Sequence, residues 1–226
     1  MADDVATARA PTAGPWRVGR NPEPLTVVAP KAHDLRSKRA GNRFDIAGVG
    51  VAYFATKLEG CFAETLAELR PKPQLAVLVA DEWRAAGHLG PGLVPAGWRH
   101  RRTVVHVSVD RGYEFLDVED VATHQVLRSE LALGLAALGV DDLDVGTVRG
   151  ADRRVTRLIA DWAYQQETDD GYGRFAGIRY CSRLSSEWVC WALFPDAEIE
   201  PRAAFPVERE MPELVAIADR FKLRVF

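Results

Sequence analysis

A chain of 226 residues and 25.0 kDa, 47% hydrophobic and 27% charged, has enough apolar surface for one sizeable core, which excludes wholesale disorder. Its 29 basic and 32 acidic residues give a formal charge of −3, so no global field recruits nucleic acid or anionic lipid. Cys61, Cys181 and Cys190 have no C-x-x-C spacing, and no apolar run approaches the roughly 18 residues a membrane helix needs. The start, Met1-Ala2-Asp3-Asp4, is acidic where a signal peptide is basic. These features predict a soluble cytoplasmic protein.

Residues 1–15, rich in Ala, Thr and Pro without a hydrophobic period, read as a mobile tail, and 16–226 as a single domain. Val49, Val51, Tyr53 and Ala55 alternate with Gly50, Ala52 and Phe54 as in a strand. Thr56 stands three residues before Glu59, a capping-box spacing, and Leu58, Phe62, Leu66 and Leu69 then recur at helical spacing until Pro71 and Pro73 stop the run. A strand is predicted at Leu75–Val79, a Gly- and Pro-rich loop over Asp81–Arg102, and strands at Thr103–Val109 and Glu114–Val118. Helices over about 119–138 and 152–166 follow, then strands at Ala176–Tyr180 and Trp188–Phe194, a helix at Pro212–Phe221 and a last strand at Leu223–Phe226. The order is no regular βαβ alternation, so the predicted class is α+β, a mixed sheet with flanking helices.

Familiar catalytic signatures are missing: there is no G-x-x-x-x-G-K-[ST], G-x-S-x-G or H-E-x-x-H. Gly48-Val49-Gly50 lacks the third glycine of a dinucleotide fingerprint. Histidines 33, 88, 100, 106 and 124 are scattered without ligand spacing, so no metal is expected. Trp98-Arg99-His100-Arg101-Arg102 is the one dense basic patch and reads more readily as a solvated loop than as a phosphate contact. Cys181 reads as a small buried residue at a strand end rather than a thiol nucleophile. Taken singly, Arg43 and Glu64 are surface charges and Tyr53 a core aromatic.

Their order along the chain says more. Asn42-Arg43-Phe44-Asp45, Val51-Ala52-Tyr53-Phe54-Ala55 and Cys61-Phe62-Ala63-Glu64-Thr65 follow one another, with Arg43 ten residues before Tyr53 and Tyr53 eleven before Glu64. Far downstream come Gly177-Ile178-Arg179-Tyr180-Cys181-Ser182-Arg183 and Trp191-Ala192-Leu193-Phe194. This ordered set resembles the RES domain, named for its arginine, glutamate and serine, from about Trp16 to Phe194. The chain departs from the family pattern in three places: Cys181 stands where a proline commonly precedes the serine, a long Gly/Pro loop separates the early strands, and an extension follows about residue 195.

The resemblance implies a fold like the core of ADP-ribosylating toxins, and a toxin of a bacterial toxin–antitoxin pair that consumes NAD⁺ as substrate and needs no cofactor. Carried over, the family's arginine falls on Arg43, its tyrosine on Tyr53, its glutamate on Glu64 and its serine on Ser182, with Arg17 matching an arginine near the start of the pattern. Glu64 would stabilise positive charge at the ribose carbon as nicotinamide leaves. Arg43 would clamp pyrophosphate or ribose. Tyr53 would stack on nicotinamide and bond a ribose hydroxyl through its phenol, and Ser182 would bond the ribose or position Glu64. Water or phosphate would accept the ADP-ribose; the alternatives are transfer to a protein side chain, or an inactive partner-binding module. A helix-turn-helix antitoxin is the implied partner, with no nucleic acid and no membrane, and a homodimer is left open.

Overall fold

The computed structural model describes residues 5–71, 90 and 92–226. The predicted strand at Leu75–Val79 and residues 81–89 and 91 of the predicted loop after it lie outside these residues. Ten strands are described: β1 (Thr7–Ala8), β2 (Trp16–Arg20), β3 (Ala52–Ala55), β4 (Leu93–Val94), β5 (Arg102–Val109), β6 (Phe115–Asp117), β7 (Gly177–Cys181), β8 (Val189–Leu193), β9 (Ile199–Pro206) and β10 (Arg224–Val225). The α-helices among the described residues are α1 (Leu58–Leu66), α2 (Ala96–His100), α3 (Val121–Glu130), α4 (Ala132–Ala137), α5 (Val145–Val148), α6 (Arg153–Tyr164) and α7 (Pro212–Phe221).

Eight strands form one curled sheet in the order β1-β6-β7-β8-β3-β2-β5-β9. Its neighbours are antiparallel except β6 and β7, which run parallel, while β10 and β4 make a separate parallel pair. The α+β expectation therefore holds, with a mixed sheet and helices on its flanks.

Strand alternation divides the apolar residues between two faces. On one face Ala55, Val104, Ile178, Tyr180, Cys190 and Ala192 meet α1, α6 and α7 in the larger core; on the other Phe54, Val105, Val107, Phe115, Trp191 and Leu193 make a smaller one. α1 anchors the larger core through Phe62 and Leu66, both fully buried, each contributing roughly 1.5–3 kcal/mol of transfer free energy. Gly177 permits the close pairing of β7 on β8: its φ is +154°, and a Cβ there would overlap the carbonyl oxygen of Ala192.

Several expectations change. The segment read as a mobile tail is tied to the sheet over residues 5–15: β1 pairs antiparallel with β6, Ala6 N–H donates to Thr123 Oγ1 at 3.0 Å, and Val5 and Ala10 are buried. A two-residue strand is too short for periodicity to reveal. Thr56 does not cap α1: the cap position falls on Lys57, and the Thr56 hydroxyl instead accepts Trp191 Nε1 at 2.9 Å. The predicted 119–138 helix is two, α3 and α4, meeting at Leu131. The basic patch is not a free loop: α2 carries it, Arg99 donates to the carbonyls of Phe226 and Val207, and Arg102 lies 4.5 Å from the Trp98 ring centroid. β9 escapes sequence reading because Pro201 and Pro206 interrupt it; an edge strand tolerates prolines that a central one would not. No helix among the described residues is long and apolar enough to cross a membrane.

Candidate functional site

The chain segments carrying Glu64, Ser182, Arg43 and Tyr53 converge on the face of the sheet that bears the larger core. Glu64 lies on the exposed side of α1, opposite its buried stripe, yet the end of β7 reaches it: Ser182 Oγ donates to Glu64 Oε1 at 2.5 Å. Ser182 itself is 1% exposed. Its oxygen accepts the Leu184 N–H at 3.0 Å, so that lone pair is occupied and the hydroxyl proton is directed at the carboxylate. The Ser182 N–H in turn donates to the Trp188 carbonyl, closing the β7–β8 turn around the pair.

Arg43 sits in the loop before β3. Its guanidinium donates to three successive carbonyls where α5 ends: Nη1 to Val148 at 2.6 Å, and Nη2 to Gly150 at 3.1 Å and Arg149 at 3.4 Å. These are the carbonyls a helix leaves without intrahelical partners, and a cation suits that end of its dipole. Of the five N–H donors of a guanidinium, the remainder, including Nε–H, make no hydrogen bond to the described residues. Burial lowers the pKa of Arg43; Tyr180 and Glu64 pull it back up, while Arg183 and Arg153 lower it further. Arg43 thus shares one electrostatic neighbourhood with Glu64, Tyr180 and Arg183.

The Tyr53 phenol, which the resemblance offers to the ribose, is bonded within the protein. Its hydroxyl donates to Asp45 Oδ1 at 2.8 Å and accepts the Phe44 N–H at 3.0 Å, so both polar ends serve the Arg43 loop. Burial, then the charge of Asp45, raises its pKa well above the ordinary tyrosine value and keeps the phenol a donor. The half-buried ring alone is left for stacking. Arg17 meets the group through the backbone of Tyr53. Its guanidinium donates to the carbonyls of Pro24, Tyr53 and Thr26 and lies 5.8 Å from the ring centroid of Phe54, a residue of the smaller core on the opposite face. Arg17 fastens the loop after β2.

Residues that sequence reasoning passed over hold this arrangement. Asp45, 6% exposed, accepts from Asn42 N at 2.6 Å and Asn42 Nδ2 at 3.2 Å as well as from Tyr53. The first turns of α6 grip the same loop: Thr156 Oγ1 donates to the Arg43 carbonyl, Arg157 to those of Leu35 and Ser37, and Arg153 to those of Arg39 and Gly41. The Asn42-Arg43-Phe44-Asp45 spacing, with an Asx side chain closing on the backbone three residues earlier, was a signal for Asp45. Nothing local marks Thr156, more than a hundred residues away. Cys181 and Cys190 are buried thiols whose pKa burial raises, and burial pushes Cys61 up to about 12, so none is an activated thiolate.

The RES domain family model matches residues 14–213 of this chain. A chain of the crystal structure of the M. tuberculosis MbcT–MbcA toxin–antitoxin complex is similar at a TM-score of 0.42 and 12% identity, covering 96% of this chain and 92% of its own length. No curated protein matches the sequence.

Proposed function

Since the chain belongs to the RES domain family, we propose that it cleaves the nicotinamide–ribose bond of NAD⁺, as the toxin of a toxin–antitoxin pair. The observation that carries this reading is the Ser182–Glu64 hydrogen bond at 2.5 Å beside the half-anchored Arg43 guanidinium. A carboxylate fixed by a buried hydroxyl needs no reorganisation when positive charge grows on the ribose carbon and ring oxygen. Nicotinamide leaves neutral from a cationic nitrogen, so the reaction calls for no cofactor and no metal. The edge of Arg43 that bonds no described residue is the phosphate-seeking group, and Ser182 is the residue that aims Glu64. The curled mixed sheet is the kind of frame that the resemblance to ADP-ribosylating toxins implies. The reaction is placed in the cytoplasm, with a helix-turn-helix antitoxin as partner, on family grounds.

Purified protein incubated with NAD⁺, with and without inorganic phosphate, should release nicotinamide. Glu64→Gln, which keeps shape and loses charge, should slow release by about 10²-fold or more. A phosphate requirement identifies phosphate as acceptor; its absence identifies water. Release that ignores Glu64 overturns the assignment, and label from NAD⁺ appearing on protein in a lysate would instead identify a protein acceptor.

A further inference from the structure

One ion pair, whose side chains bond none of the candidate side chains Arg43, Tyr53, Glu64 and Ser182, reaches both halves of the site. Glu119, in the turn between β6 and α3, has a side chain only 9% exposed; that of Arg149, just past α5, is 30% exposed. Arg149 donates to Glu119 Oε2 from Nε at 3.0 Å and from Nη2 at 2.6 Å. The other carboxylate oxygen, Oε1, accepts the Cys181 N–H at 2.8 Å, one residue before Ser182. Arg149 Nη1 continues to Ser186 Oγ at 2.9 Å, in the turn that Ser182 opens. The backbone of the same Arg149 belongs to the run of three carbonyls, 148 to 150, on which the Arg43 guanidinium rests.

We infer that Glu119 and Arg149 form a positioning pair, which sets the Arg43 guanidinium and the Ser182–Glu64 couple in one fixed relation. Three stretches of chain meet at the pair: the β6–α3 turn through Glu119 itself, the 148–150 turn through Arg149's own backbone, and residues 181–186 through Cys181 and Ser186. Displacing Arg149 moves the carbonyls that orient Arg43; releasing Glu119 leaves the buried Cys181 N–H without its acceptor. A half-buried pair with both carboxylate oxygens engaged is a rigid joint, and removing one partner strands the other. An exposed ion pair, held by two flexible side chains, would not have this effect. The kinetic part of this inference rests on the NAD⁺-cleaving reading; the mechanical part does not.

The test compares Arg149→Met, which keeps the apolar stem, with Arg149→Lys, which restores one charge. Hydrogen exchange is followed in peptides covering 42–46 and 181–186, with 102–109 in β5 as control, and KM and kcat are measured for nicotinamide release. In Arg149→Met, exchange should quicken about tenfold or more in both site peptides and not in the control, as loss of hydrogen bonds to charged groups implies. KM should rise and kcat fall together, each by about tenfold, because each half of the site is disturbed, and Arg149→Lys should recover part of every effect. Acceleration in all three peptides, in one site peptide alone or in neither overturns the inference, as does a change confined to KM or to kcat. A wild-type protein that releases no nicotinamide refutes the NAD⁺ reading, while the exchange pattern still decides the joint.

Discussion

A single phenol separates two accounts of the site. The sequence resemblance implies that the Tyr53 phenol bonds a ribose hydroxyl while its ring stacks on nicotinamide, whereas that hydroxyl bonds Asp45 and the Phe44 N–H. Tyr53→Phe keeps the ring and removes those bonds, leaving a buried N–H without an acceptor, at a cost of about 1–3 kcal/mol. For a domain of this size, Tm should fall by about 2–4 °C per kcal/mol. Because the hydroxyl acts through the Arg43 loop, KM for NAD⁺ should rise about tenfold while kcat stays near the wild-type value. A collapse of kcat at unchanged KM would show the phenol on the reacting ribose after all. Arg43, Tyr53, Glu64 and Ser182 were legible because the family pattern names them in order. Glu119 and Arg149 were not, since a charged side chain that bonds backbone or its opposite charge inside the protein has the same letter in a sequence as one that faces water.

At the scale of elements, α6 decides where the Arg43 loop sits, and its own start is set by Asp152. That side chain accepts the Arg154 N–H at 3.1 Å and binds the Arg154 guanidinium at 2.7 and 2.9 Å. The side-chain bond from Arg154 holds the Asp152 carboxyl down to about 2. A depressed carboxyl contributes stability that is complete above the unfolded value of about 3.9 and is lost as pH falls through the folded value. Asn caps as well as Asp but carries no charge. The stability difference between the protein and Asp152→Asn should thus be about 0.5–1 kcal/mol at pH 7, as for a partly exposed pair, and should fade between pH 4 and 2. A difference that persists unchanged at pH 2, measured by urea unfolding, would assign the effect to cap geometry instead. The ends of α6 were legible to within two residues, because Val155 and Ile159 sit at helical spacing on one buried face. Where the helix points, and hence which loop its Arg153, Thr156 and Arg157 would seize, depends on tertiary packing that no local window contains.

For the molecule as a whole, the two cores are joined at one end by residues 5–10. Val5 is 7% exposed and packs in the larger core; Ala10 is 6% exposed and packs in the smaller, so the chain passes from one face of the sheet to the other in five residues. Between them β1 covers the outer edge of β6, and Asp117 N–H donates to the Ala6 carbonyl at 2.9 Å. β6 in turn pairs with β7, which carries Cys181 at its end and leads to Ser182, so the segment buttresses the site from two strands away. Deleting residues 1–10 removes Val5 burial, worth about 1.5–3 kcal/mol, along with the cover over an edge strand. Tm should fall by about 4–10 °C on the usual scaling for this chain length. Nicotinamide release per folded molecule should stay within about twofold below the new transition, because β7 remains held by β8 on its other side. An unchanged Tm would restore the reading of this segment as a loose tail. A lost Tm together with a lost kcat in the folded protein would mean that the edge of the sheet helps to aim Ser182 at Glu64, and the site would then extend further across the sheet than its own hydrogen bonds reach.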